Sequence, residues 1–135
     1  MSQCIFCQIV QGKVPCVRVY ENHSVLAFLD IAPVKKGHTL IIPKKHVVNI
    51  MDVSSDIAAE LHEVIKKVGK GLLEGLSADG FNLGMNNFEA AGQLVMHAHY
   101  HLIPRYKNDG LKLWPQSSYA EDEMNAVAGK ISSVL

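Results

Sequence analysis

His97, His99 and His101 alternate with Ala98, Tyr100 and Leu102 in the segment Gln93–Arg105. In an extended strand, side chains two apart share a face. The three imidazoles then line one side together with Gln93, Val95 and Ile103. Leu94, Met96, Ala98, Tyr100 and Leu102 line the other, which is apolar enough to pack on a helix. Hiding three imidazoles without partners is costly, so their face reads as a reactive or metal-binding surface left open beside the core. A neutral imidazole can attack phosphorus and later release it to water, splitting one difficult displacement into two. A second imidazole nearby can protonate a leaving group or hold a phosphate oxygen.

Cys4 and Cys7 form a C-x-x-C pair. The pair has three readings: a redox couple, half of a metal site, or two small buried thiols. The redox reading needs a βαβ context that this chain lacks. A metal site needs two further ligands, commonly histidines. Cys4, Cys7, His46 and His97 would make a structural site and leave His99 and His101 for chemistry. His97 and His99 alone would instead make a strand chelate with an open water position. Unligated thiols remain the third option, and Cys16 has no partner by spacing.

Two further segments lie within reach of this chemistry. Asp30 ends an apolar strand, where a carboxylate caps a turn or accepts both hydroxyls of a ribose. His38 opens another strand, where an exposed imidazole is expected. Asn86, Asn87, Gly92 and Gln93 lead into the histidine segment. Amides and backbone N–H groups at such a loop suit phosphate oxygens, although turn chemistry explains the asparagines equally well. Neither a G-x-x-x-x-G-K-[ST] loop nor a G-x-G-x-x-G fingerprint is present.

The elements that must position these groups follow from pattern. Cys4–Val10 reads as a helical turn stopped by Gly12. Val17–Tyr20 and Ser24–Ile31 read as strands joined across Glu21–Asn22–His23, and His38–Ile42 as a third closed by Pro43. A long helix follows Ser54 or Ser55, with Ile57, Leu61, Val64, Val68 and Leu72 at helical spacing. Gly69, Gly71 and Gly75 weaken its end. Phe81–Asn86 and Gln93–Ile103 read as the last two strands, and Glu121–Val134 as a terminal helix. Short connections make the sheet largely antiparallel. The expected class is α+β, one domain over residues 1–135, with one long helix on one face.

Composition narrows the function classes. The 135 residues carry 13 basic and 13 acidic side chains, so no bulk charge favours nucleic acid. No apolar run approaches the ~18 residues of a membrane span. Three cysteines without a secretory signal point to a reducing, cytoplasmic setting.

The segment His97–Ile103, with Ala91–Gly92–Gln93 before it and Pro104–Arg105 after it, resembles the signature of the histidine triad (HIT) nucleotide-binding proteins. Ile5–Phe6, Ala27–Asp30, Gly37–His38 and Ile42–His46 stand where that family has its N-terminal motifs. The resemblance implies a five-stranded antiparallel sheet with helices and a homodimer joined edge to edge. It implies hydrolysis or transfer of purine nucleoside monophosphates held in phosphoramidate or anhydride bonds, dinucleoside polyphosphates among them. His99 corresponds to the nucleophile that forms a nucleotidyl-histidine, and His101 to a phosphate contact. Asp30 corresponds to the ribose position. Ile5, Phe6, Ile9, Phe28 and Ile31 correspond to the purine pocket, and Asn86, Gly92 and Gln93 to the phosphate loop. The resemblance favours one structural zinc per subunit on Cys4, Cys7, His46 and His97. Leu94 departs from the pattern, because several branches have serine or threonine there, near the phosphate. A nucleotide-binding interaction protein with incidental turnover is the alternative function.

Overall fold

A computed structural model describes residues 3–135; Met1 and Ser2 lie outside them. Five strands form one antiparallel sheet in the order β1-β2-β3-β5-β4. They are β1 (Arg18–Glu21), β2 (Val25–Leu29), β3 (Thr39–Pro43), β4 (Gly80–Gly84) and β5 (Tyr100–Arg105). Three helices accompany them: α1 (Ile5–Val10), α2 (Ser55–Gly75) and α3 (Glu123–Ser132). The α+β class and the antiparallel sheet agree with expectation. Asn22 shapes the first hairpin, its Oδ1 accepting from the N–H groups of Ser24 at 2.9 Å and Val25 at 2.8 Å.

The strand alternation sorts the core into two layers. Val25, Ala27, Ile41 and Leu102 point to one face, where they meet Leu61, Val64, Ile65, Val68 and Leu72 of α2. Leu26, Phe28, Leu40 and Ile42 point to the other, where Phe6 and Ile9 of α1 cover them. Burying each such side chain contributes about 1.5–3 kcal/mol. The histidine face, which the sequence pattern left open, is open only in part: α1 covers it beside His97 and His99, and a cleft remains at His101. The short α1, whose aromatic and aliphatic side chains lie at helical spacing, forms that cover. This correction has a plain cause: a five-stranded sheet with apolar residues on both sides needs two covers.

Strand β5 begins at Tyr100, not Gln93. Residues 93–99 follow an irregular path. Ala98 is buried on the expected apolar side, but upstream that side is uncovered, with Leu94 88% and Met96 45% exposed. Backbone pairing ends because β5 has a partner in β3 only from Tyr100 onward. Ahead of it, the chain is held by a bond from Ala98 N–H to the Val47 carbonyl at 2.7 Å.

Helix α2 starts on Ser54, whose Oγ accepts from Ile57 N–H. Its glycines do not end it early, since the helix runs through Gly75. Gly69 has a packing reason instead. A Cβ there would stand 2.7 Å from Cζ of Phe81 on β4, so glycine lets α2 approach the sheet. At Gly75 a Cβ would meet nothing within 4 Å. The two positions should respond oppositely to alanine. Gly69→Ala should lose about 1 kcal/mol, with overpacking outweighing the gain in helix propensity. Gly75→Ala should be neutral or gain up to about 1 kcal/mol. Denaturant unfolding of both variants checks this, and equal effects would refute the packing account.

Candidate active site

Backbone carbonyls fix the histidines. A carbonyl only accepts, so the ring nitrogen facing it carries the proton. His97 Nε2 lies 2.8 Å from the Pro43 carbonyl, so its Nδ1 is the lone pair. His99 Nδ1 lies 2.7 Å from the His97 carbonyl, so its Nε2 carries the lone pair. Phe6 packs edge-on against both rings, at 5.8 Å and 5.1 Å between centroids. His97 and His99 are buried.

His101 is set by a longer chain. Val34 N–H donates to His38 Nδ1 at 3.1 Å, which places the His38 proton on Nε2. That Nε2–H faces His101 Nδ1 at 2.9 Å, leaving a proton on Nε2 of a neutral His101. The outcome is one imidazole offering a lone pair and its neighbour offering a donor, their rings 5.0 Å apart. Burial, then the neighbouring His99 and His38, pushes His101 down to about 4. His38 is likewise lowered, chiefly by burial and against the pull of Asp30. His38 was expected to be exposed. It is 3% exposed and belongs to the site. Its signal in sequence was only that β3 would have to neighbour β5.

A second group sits behind the triad. Cys4 Sγ lies 3.5 Å from His97 Nδ1, Cys7 Sγ 3.6 Å from the same atom and 3.2 Å from His46 Nδ1. One donor atom from each of the four residues lies within 4.8 Å of the rest. Burial and the adjacent Cys4 raise the Cys7 thiol. Two thiols and two imidazole nitrogens, one of them held as a lone pair by Pro43, make a donor set that suits a soft divalent cation. The separations match the ~3.3–3.8 Å edges of a tetrahedron with Zn–N and Zn–S bonds. The four residues therefore fit a metal, bound away from the His99 lone pair.

The remaining expected site residues divide. Phe6, Ile9 and Phe28 are packed together. Ile5 is 41% exposed beside them, and Ile31 is fully exposed and joins no cluster. Asp30 accepts from Ala32 N–H through Oδ1 at 2.8 Å, the turn role. Its Oδ2 stands 3.8 Å from His38 Nε2. Gln93 does not reach outward. Its Oε1 accepts from Phe88 N–H, and its Nε2 donates to the Val48 and Val95 carbonyls. Asn87 accepts from Ile50 N–H at 2.9 Å. Gly92 adopts φ +93°, which turns the chain beside Asn86.

His38, Asn86 and His101 line a cleft of about 720 Å³, closed on the far side by Leu111–Pro115. Sequence reasoning missed this wall. Its only signal was the single Trp114 in a segment without periodicity. Arg105 anchors the wall with two bonds to Asp109, at 2.8 and 3.0 Å, and one to the Leu111 carbonyl at 2.8 Å. These contacts hold the Asp109 carboxyl far below the usual carboxylate range.

Histidines lowered in the folded state make the unfolded chain the better proton binder between about pH 4 and pH 6.5. Stability should therefore rise with pH across that window and be fully present above it. His101 alone accounts for up to about 3 kcal/mol lost on acidification. Unfolding midpoints at pH 7, 5.5 and 4.5 measure the slope, which His101→Asn should reduce. A flat profile would contradict the assignment.

Comparison with known proteins bears on the same residues. A family profile described as the HIT domain matches residues 11–108. The chain is 40% identical over 134 residues to adenosine 5'-monophosphoramidase hnt1 of Schizosaccharomyces pombe, covering 98% of each. A crystal structure of a HIT family protein from Bacillus anthracis superposes with TM-score 0.87 at 42% identity, over 98% of this chain and 97% of that one. A Zn-bound histidine triad family protein from Mycobacterium smegmatis gives TM-score 0.79 at 36% identity, over 99% of each. With profile, sequence and fold in agreement around the same three imidazoles, this chain belongs to the HIT family.

Proposed function

We propose that the protein is a nucleotidyl hydrolase or transferase that works at phosphorus through His99. The observation that carries this reading is the tautomer pattern: a lone pair on His99 Nε2 beside a donor on His101 Nε2. His99 Nε2 forms a bond to phosphorus as the P–N or P–O bond to the leaving group breaks. The leaving group departs with a proton taken from solvent, while His101 stays neutral and donates a hydrogen bond from Nε2–H to a phosphate oxygen. Water then attacks phosphorus, the P–N bond to His99 breaks, and the water's proton restores the starting state. The hnt1 relative, named for cleaving an adenosine monophosphoramidate, supports a purine nucleoside monophosphate as the transferred group.

The remaining roles follow. The apolar group Phe6, Ile9 and Phe28 floors a base pocket, with Ile5 and the exposed Ile31 as lips that a bound purine would cover. Asp30 Oδ2 accepts from ribose. Asn86 and the turn at Gly92 face phosphate oxygens, and Gln93 acts by holding that turn. Leu94 points to solvent and supplies no contact. Cys4, Cys7, His46 and His97 hold one zinc per subunit. The ion supplies a positive charge that lets both thiols ionise and ties α1 to the histidine segment. The protein works as a homodimer, and its thiol ligands require a reducing, cytoplasmic setting. Among the described residues no helix is long and apolar enough to cross a membrane.

His99→Ala should lower turnover of adenosine phosphoramidates by at least roughly a thousandfold while nucleotide binding changes only a few-fold. Acid-labile label trapped on the wild-type chain, absent from the variant, should accompany it. Turnover near wild type in His99→Ala would remove the nucleophile assignment.

Metal loss has a distinct signature. Mild chelation, or Cys4→Ser with Cys7→Ser, should lower the melting temperature and loosen nucleotide binding before the chemical step slows. If chelation stopped chemistry at once in a protein of unchanged stability, the ion would be catalytic instead. Elemental analysis beside calorimetry and single-turnover rates distinguishes the two.

A further inference from the structure

The face of the sheet away from the histidines carries a groove of about 560 Å³ between α2 and the ends of β2 and β3. Its walls are apolar: Val19, Leu29, Val68, Leu72 and Leu76, with Val19 47% and Leu76 46% exposed. Lys36 and Lys67 stand at its rim, and no acidic residue lines it. Apolar surface of this extent beside cations is the footprint of an absent partner with complementary charge.

Helix α3 is the complementary object. It buries none of its residues. Met124, Val127 and Ile131 recur at intervals of three and four, so they form one stripe, and Met124 and Ile131 are 61% and 58% exposed. Three consecutive acids, Glu121, Asp122 and Glu123, precede the stripe. A helix of ten residues spans about 15 Å, which matches the half of α2 that lines the groove.

Tyr106, at the start of the arm, lines the groove of its own copy and donates to the Leu76 carbonyl, but beyond it the chain turns to the other face. On β5, His101, Ile103 and Arg105 point to the histidine face, and Leu102 to the α2 face. Arg105 clamps Asp109 and Leu111, so the arm leaves across the histidine face. Leu111–Pro115 continue along the cleft beside His101. The groove lies on the opposite side of the sheet.

We propose that α3 of a second copy of this chain seats its apolar stripe in this groove, with its three acids against Lys36 and Lys67. The inference rests on the homodimer reading and specifies which segment each copy exchanges. The exchange ties the arm that walls one copy's catalytic cleft to the back face of the other.

The test mixes isotopically heavy and light full-length protein and applies a zero-length carbodiimide. Cross-links joining Glu121, Asp122 or Glu123 to Lys36 or Lys67 should include heavy–light pairs. Gly71→Trp places a ring in the groove, at a position where a Cβ meets nothing within 4 Å. It should abolish the cross-link, as should Ile131→Asp on the exposed stripe, each weakening self-association by about tenfold or more in sedimentation. Circular dichroism should show both variants folded. Cross-links only within one isotope would mean that the arm folds back on its own chain, and would overturn the proposal. So would an absent cross-link, or a dimer that both variants leave intact, in which case dimerisation stands on another surface. Wild-type protein that is monomeric at all concentrations would remove both readings.

Discussion

The site depends on carbonyl oxygens that have no freedom to donate. The Pro43 carbonyl assigns the proton on His97, and the His97 carbonyl assigns the proton on His99. Each assignment frees the opposite nitrogen: His97 Nδ1 faces the two sulfurs, and His99 Nε2 keeps its lone pair. Both carbonyls belong to backbone fixed by neighbouring structure, Pro43 as the last residue of β3 and His97 beside the bond between Ala98 and Val47. The rings are therefore set by the fold and not by the ligand. An imidazole free to flip would present either nitrogen, and the lone pairs of His97 and His99 would have no fixed direction.

The thiol and imidazole group extends the same order to the N-terminus. Helix α1 is six residues long, too short to be stable alone. It is held by Phe6 and Ile9 in the core, and at its start by Cys4, whose Sγ accepts from Cys7 N–H. Those same cysteines meet His46 and His97. One short helix and its capping residue thus supply the cover of part of the histidine face, the aromatic neighbour of His99 and the two thiols of the cysteine–histidine cluster. The irregular path of residues 93–99 is compatible with this, because side-chain and loop contacts replace the missing strand pairing there.

Much of this arrangement was legible from residues alone. The antiparallel sheet and the long helix with its apolar stripe follow from period, while the gathering of Cys4, Cys7, His46 and His97 is one of three readings of the cysteine pair and the one that the family resemblance favours. Three features were not legible, each for a physical reason. Alternation of polarity at 93–99 imitates a strand, but whether backbone groups find partners there is decided by β3. The burial of His38 depends on which strand lies beside it, a tertiary fact without local signature. The cleft wall at Leu111–Pro115 is irregular chain pinned by Arg105, and irregular chain has no period to read.

Gln93 has a consequence of a different kind. Its amide is spent entirely on its surroundings: Phe88, Val48 and Val95 together take its acceptor and both donors. The loop's shape is thereby concentrated in one interior side chain. Asn87 and the turn at Gly92 assist it, whereas Leu94, 88% exposed, carries no share of that task. Such a division separates heritable shape from heritable preference. Exposed loop positions such as Leu94 can be exchanged over generations without disturbing that interior anchor. The interior amide, by contrast, allows no neighbour in chemical space: a carboxylate would lose both donors, and an aliphatic chain would take the side-chain partner from Phe88 N–H and from the Val48 and Val95 carbonyls.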